Sequence, residues 1–248
     1  MIRLVDVHKS FRKQKVLDGL NLEIENNKTT VIIGRSGGGK SVLLKHIIGL
    51  LRPDSGEVWV DGSDITKLGD RELNEVRKKF GMLFQEAALF DSMSVGENVA
   101  FPLREHTKMK EAEIRGVVAD RLRAVGLTGI EPKLPAELSG GMRKRVGLAR
   151  AIALRPEIVL FDEPTTGLDP VMTEAINQLI LETQRLFNLT CVVISHDLDS
   201  IFKIAHRIAM LHEGKIIEHG TPEEIRASRN AVIRQFLSGS ISGPISVT

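Results

Sequence analysis

At 248 residues, with 42% hydrophobic and 27% charged residues, the chain is long enough for one large domain or a core with a lobe, and apolar enough to bury an interior. A net charge of +2, and basic clusters as short as Arg12-Lys13, Arg77-Lys78-Lys79 and Arg143-Lys144-Arg145, argue against a nucleic-acid surface and read as solvated helix faces and loops. No run approaches the about 18 consecutive apolar residues of a membrane span, the start MIRLVDVHKSF has no apolar signal core, and the single Cys191 permits neither an internal disulfide nor a cysteine zinc cluster. The expectation is a soluble globular protein of a reducing cytosol, with Cys191 an inert core residue and any membrane role exercised through a partner.

The opening IRLVDV and the alternation of Leu20, Leu22 and Ile24 with polar residues predict strands of a half-exposed, antiparallel edge region. Thr29 to Ile33 is a short continuous run, the pattern of a parallel strand buried on both faces. It leads into Gly34 to Ser41, GRSGGGKS, which fits the phosphate-loop pattern G-x-x-x-x-G-K-[ST] and is followed by a helical stretch from Ser41 to Leu51. In that pattern glycine N–H groups wrap phosphates, Lys40 neutralises them and Ser41 ligates Mg²⁺; a Gly-rich turn before a helix is otherwise only a loop.

From about Glu86 to Arg150 no buried strand is predicted. Ser94 and Glu97 form a capping box, Ile114, Val117, Val118, Leu122 and Val125 trace a helical stripe, and the Gly- and Pro-containing segment GLTGIEPKLPAELSGG reads as a loop feeding a new helix. Ile158 to Phe161 is a second buried strand, ending in Asp162-Glu163 before Pro164. Ile176, Leu179, Ile180 and Phe187 mark one face of a later helix, and Thr190 to Ile194 is a third buried strand, followed by Ser195-His196. Thr221-Pro222-Glu223-Glu224 starts a helix with an N-cap, a first-turn proline and a returning glutamate, and the Ser/Gly-rich tail SGSISGPISVT is expected to be ordered only against a partner. Strands and helices alternate as in an α/β nucleotide fold.

Hydrolysis of a nucleoside triphosphate needs its terminal phosphate neutralised and a water aimed in line with it, and a strand ending in two carboxylates delivers both acids to a sheet's C-terminal edge. The bland alternative is two acids in a surface turn. Taken in order, GRSGGGKS, Leu138 to Met142 (LSGGM), IVLFDE and Ser195-His196 resemble the ATP-binding cassette (ABC) ATPases, and the resemblance runs from about Phe11 to about Pro222. It implies an α/β, RecA-like P-loop NTPase core with an antiparallel β subdomain. A helical subdomain would be inserted at about 86–150, with the ATPase domain over 1–222 and a C-terminal helix and tail over 223–248.

The same resemblance implies ATP and Mg²⁺ as cofactors. Gly34, Arg35, Ser36, Gly37, Gly38, Gly39, Lys40, Ser41 and Val42 would surround the phosphates, and Ser41, Gln85 and Asp162 would serve the metal. Glu163 matches the base that polarises the attacking water, His196 the histidine at the γ-phosphate, and Gln85 the glutamine that touches Mg²⁺ and water while linking the core to the lobe facing the transporter. Phe11 takes the place of the aromatic that stacks on adenine, usually a tyrosine, a residue this chain lacks. Taken alone, a lone histidine is more often structural, a glutamine after a strand means little, and core packing is a rival reading for Phe11. Ser139, Gly140 and Gly141 match the signature that binds the γ-phosphate held by the opposite subunit, Met142 departs from the usual glutamine, and Asp169 would bridge the dimer interface. A head-to-tail homodimer with two ATP molecules follows from the resemblance.

Within the family, GRSGGGKSVLLKHIIGLLRPDSGEV, MLFQEAALFDSMSVGENVAFPLREHT, LSGGM and the C-terminal RQFLSGSISGPI resemble the lipid-asymmetry (Mla) and Mce-associated transport ATPases. That likeness implies a peripheral ATPase on the cytoplasmic face of a bacterial inner membrane. It would power phospholipid transport between membranes through separate integral-membrane permease subunits. A small STAS-type regulatory subunit and a lipid-binding Mce-type subunit would complete the set of partners, with no nucleic acid. The alternatives are an amino-acid or other small-solute importer ATPase, which shares every ATP-site residue, and a soluble non-transport ABC ATPase. The latter usually shows two cassettes, coiled coils or zinc cysteines, none of which this chain contains. A plain P-loop GTPase or kinase leaves LSGG unexplained.

Overall fold

The computed structural model describes residues 1–246, so the last two residues of the tail lie outside the described residues. The chain forms two units, Met1–Leu68 with the residues from Ile194 onward, and Gly69–Val193. In the first, β1 (Ile2–Phe11), β2 (Gln14–Ile24), β4 (Ser55–Val60) and β5 (Ser63–Asp64) make an antiparallel sheet in the order β2-β1-β4-β5. The predicted alternation is what buries one face: Ile2, Leu4, Leu20, Leu22 and Ile24 are all in the core. Pairing of Lys9 with Leu17 and of Ser10 with Lys15 leaves Val16 as the extra residue of a bulge in β2.

The same unit holds β3 (Thr29–Ile33), buried along its whole length, α1 (Lys40–Ile47), α7 (Leu198–Ile204), β9 (Arg207–His212), β10 (Lys215–Gly220), α8 (Pro222–Arg226) and α9 (Ala231–Ser238). β9 runs parallel to β3 and antiparallel to β10. Helix α1 stops short of the predicted Leu51 because Gly49, at φ 71°, takes the left-handed position just past the end and donates to the carbonyl of His46 at 3.0 Å. Thr221 and Glu224 exchange the predicted capping hydrogen bonds at 3.2 and 2.7 Å. The tail departs from expectation: it rests on its own chain. The Gln235 side chain donates to the carbonyls of Ser240 and Ile245 and accepts from the Ile245 amide at 2.6 Å, so one buried amide holds three backbone groups of the tail's described residues.

The second unit contains α2 (Asp70–Arg77), β6 (Phe80–Leu83), α3 (Val95–His106), α4 (Glu111–Ala124), a 3₁₀ turn (Pro135–Glu137), α5 (Gly140–Ala151), β7 (Ile158–Asp162), α6 (Pro170–Phe187) and β8 (Thr190–Ile194). Its strands lie in the order β8-β7-β6, with β6 and β7 parallel and Leu83 level with Phe161. The Ser94–Glu97 box caps α3 in both directions, and Ile114, Val118, Leu122 and Val125 are buried as the stripe predicts. Cys191 is buried in β8 and takes part in no disulfide. No helix among the described residues is long and apolar enough to cross a membrane.

The solvated reading of Arg143-Lys144-Arg145 is overturned at Lys144, which is buried, while Arg143 is exposed as expected and Arg145 half-buried. Arg143 donates to the Leu138 carbonyl at 2.8 Å, Arg145 to the Val125 carbonyl at 2.9 Å, and Lys144, 5% exposed, to the Gln85 carbonyl. Each cation finishes an orphan carbonyl in a loop or at a helix end, and Lys144 does so away from water.

Candidate active site

In the first unit the phosphate loop joins β3 to α1. Gly34 has φ 147°, and a Cβ there would lie 2.3 Å from the Leu211 carbonyl oxygen, so only glycine lets the loop leave β3 against β9. At Gly39, φ 97°, a Cβ would come within 2.9 Å of Val16 Cγ1, which shows the bulge in β2 aiming Val16 at the loop. The turn is closed by the Gly38 amide donating to the Arg35 carbonyl at 3.0 Å, while Arg35, Ser36 and Gly37 are exposed and Gly38 and Val42 half-buried. The Lys40 ammonium is folded over the loop, donating to the Gly34 carbonyl at 2.7 Å and the Arg35 carbonyl at 3.0 Å. Ser41, on the first turn of α1, is exposed.

This is a cradle of backbone amides, a helix N-terminus and a buried ammonium, the donor set that fits a polyphosphate. Phe11 lies at the tip of β1, 45% exposed, with Lys9 Nζ 5.7 Å from its ring centre, so the core-packing reading does not hold. His196 is exposed two residues past β8. Around it, Ser195 Oγ accepts from the Asp197 amide, and Asp197 caps α7 and accepts from Ser200 Oγ at 2.6 Å.

In the second unit Asp162 ends β7, and Glu163 follows with φ 51°. A left-handed glutamate costs about 1–2 kcal/mol, strain of the kind that collects at functional sites. Glu163 is half-buried, accepts from Thr166 Oγ1 at 3.2 Å, and its carbonyl accepts from the Thr166 amide. A carboxylate fixed this way at a strand end can take a proton from water.

Ser139 is the exposed N-cap of α5 and accepts from the Met142 amide at 3.3 Å, so the signature opens a helix as expected. A Cβ at Gly140 would meet Leu168 at 3.6 Å, and one at Gly141 would sit 2.1 Å from Met172 Cε. The signature glycines therefore lie against the segment that follows the base. Asp169 caps α6, accepting from the amides of Val171 and Met172.

Gln85 is exposed in the turn after β6, its carbonyl held by Lys144. Burial lowers the Lys144 pKa, and Glu86 and Glu163 act in the opposite direction, placing this cation in the field of the carboxylate cluster. The motif reading missed Lys144 and also Arg150, which donates to the carbonyls of Ala87 and Ala88. No signal in the sequence separates these carbonyl-bound cations from the solvated ones beside them.

The ABC transporter family model matches residues 17–166, from β2 through the loop after Glu163. The chain belongs to the ABC transporter family. As an ABC ATPase it binds and hydrolyses ATP. The intermembrane phospholipid transport system ATP-binding protein MlaF of Haemophilus influenzae is 47% identical over 230 residues, 93% of this chain and 87% of that protein. A Mycobacterium leprae protein named "Probable ribonucleotide transport ATP-binding protein mkl" is 44% identical over 247 residues, 100% of this chain and 71% of that protein. Among solved structures, the dimeric post-hydrolysis state of the ATP-binding cassette MJ0796 bound to ADP and Pi superimposes with a TM-score of 0.82 at 33% identity, covering 90% of this chain and 99% of that one.

Proposed function

We propose that the protein is the ATPase subunit of a phospholipid transporter. It would work as a homodimer beneath integral-membrane permease subunits on the cytoplasmic face of a bacterial inner membrane. The observation that carries the cargo is the 47% identity to MlaF over 93% of the chain.

Lys40 and the amides of Gly34 to Val42 hold the phosphates, and Phe11 stacks on the base. Ser41, Gln85 and Asp162 are the residues that would serve Mg²⁺, which when bound would neutralise charge on the transferring phosphoryl group. Glu163 takes the proton of the attacking water and His196 contacts the γ-phosphate. Ser139, Gly140 and Gly141 serve the ATP of the opposite subunit, and Asp169 stands at the dimer interface. STAS-type and Mce-type subunits complete the assembly proposed here.

A groove of about 740 Å³ in the second unit supports permease docking. Its floor includes Met82, Phe84, Phe90, Phe101 and Pro102. Phe90 and Phe101 pack 4.9 Å apart at 56°, and Asn98, fully buried, holds Phe90 by its amide and its carbonyl. That rigid aromatic floor suits a short apolar helix.

The name of the mycobacterial relative favours a second reading, with ribonucleotide as cargo. The test is isolation of the intact complex from native membranes. The lipid reading expects co-purified phospholipid and ATP-dependent transfer of lipid between vesicles and a lipid-binding partner. A complex without lipid, whose ATPase is stimulated by a small solute or its binding protein, would refute it.

A further inference from the structure

The signature helix grips the loop that carries Gln85. Lys144, Gly147 and Arg150 stand three residues apart along α5 and meet that loop in turn. Lys144 Nζ donates to the Gln85 carbonyl. At Gly147 a Cβ would lie 2.7 Å from Leu83 Cδ1 and 3.1 Å from Ala87 Cβ, so the missing side chain is what lets the helix approach. Arg150 donates to the Ala87 carbonyl at 2.7 Å and the Ala88 carbonyl at 2.8 Å. Ala87 and Ala88 are both left-handed, at φ 60° and 46°. Two consecutive alanines persist there only because the surroundings over-determine them, at about 1–2 kcal/mol each.

Burying an ammonium costs free energy that a methionine would avoid, so Lys144 is a poor choice for packing alone. The same loop runs on to Phe90, over whose ring Arg150 lies at 5.6 Å, at the edge of the aromatic groove.

We propose that Lys144 is a positioning residue for hydrolysis: it ties the Gln85 backbone to the signature helix, so that Gln85 and Ser139 to Gly141 move as one body when the groove is occupied. The proposal rests on the reading of Gln85 at the metal and the attacking water.

The test is steady-state ATP hydrolysis by the full chain over a range of pH. Lys144→Met should lower kcat about ten- to a hundredfold, the scale of a small misplacement, with KM for ATP within about twofold. Lys144→Arg, which keeps a charged donor, should recover most of the loss. On a Gln85→Ala background Lys144→Met should change kcat by less than about twofold, because both changes break one unit. Wild-type kcat in Lys144→Met overturns the proposal. So does a full-sized further loss on the Gln85→Ala background, or a shift of the acid limb of the pH–kcat profile, which would mean that the ammonium acts on the Glu163 charge instead. Wild-type turnover in Gln85→Ala alone would show that the Gln85 reading has failed. Should Lys144→Met unfold, Lys144→Gln takes its place in every comparison.

Discussion

Two glycines of the phosphate loop share a left-handed φ but not a neighbourhood, and alanine at each separates backbone strain from collision. Gly34 has φ 147°, and its added Cβ would lie 2.3 Å from the Leu211 carbonyl oxygen, about 1 Å inside ordinary contact. That oxygen cannot retreat cheaply, because β9 is paired with β3 at Met210 and with β10 at Leu211. Gly37 has φ 73° but meets nothing within 4 Å. Gly34→Ala should therefore cost at least about 3 kcal/mol, strain plus overpacking, which lowers Tm by about 6–12 °C in a chain of this size. Gly37→Ala should cost about 1–2 kcal/mol from the backbone alone, or roughly 2–8 °C. Thermal unfolding of both variants without nucleotide makes the comparison. Equal losses, or a larger loss at Gly37, would refute the argument that the Gly34 contact with Leu211 shapes the loop.

The strained glutamate reverses a common order: Glu163→Gly should be more stable than Glu163→Ala by about 0.5–1 kcal/mol in urea unfolding, where alanine ordinarily wins. Full burial of His46 lowers its pKa from the usual 6.5, and its Nε2 has no hydrogen-bond partner among the described residues. The unfolded chain then takes the proton first, so stability should be full above about pH 6.5 and fall as pH drops towards the folded value, by at most about 1.4 kcal/mol per pH unit; His46→Gln should flatten that slope. Lys40→Ala should weaken ATP binding itself in a titration, since it removes the ammonium that folds over the loop. Mixing Ser139→Arg with Lys40→Ala chains should restore part of the ATPase activity that neither variant has alone; proven heterodimers without recovery would count against a signature acting on the opposite subunit's ATP.

What was legible in the sequence follows from how each feature is encoded. GRSGGGKS and LSGG are read because backbone amides do the binding, and glycine is the residue that lets backbone approach; the clashes at Gly34 and Gly39 are that requirement in coordinates. The strands at Thr29, Ile158 and Thr190 are legible because burial on both faces leaves a short run without the polar alternation of a half-exposed strand. Lys144 and Arg150 were not legible, since a lysine in a basic run looks the same whether its ammonium meets water or a carbonyl 59 residues away in sequence. The tail misled for a related reason: its Ser/Gly composition describes the tail, while the hydrogen bonds that hold its described residues come from Gln235 on α9. The left-handed Glu163 left no trace either, because a turn that demands positive φ usually advertises itself with glycine or asparagine.

The most direct test of the account is Glu163→Gln in the intact complex, assayed for ATP binding, single-turnover hydrolysis and phospholipid transfer together. The account predicts ATP affinity like that of the wild type, hydrolysis slower by at least about a hundredfold, and no ATP-driven lipid transfer. Hydrolysis near the wild-type rate would remove Glu163 as the base, and lipid transfer that continues without hydrolysis would contradict the claim that this subunit powers it.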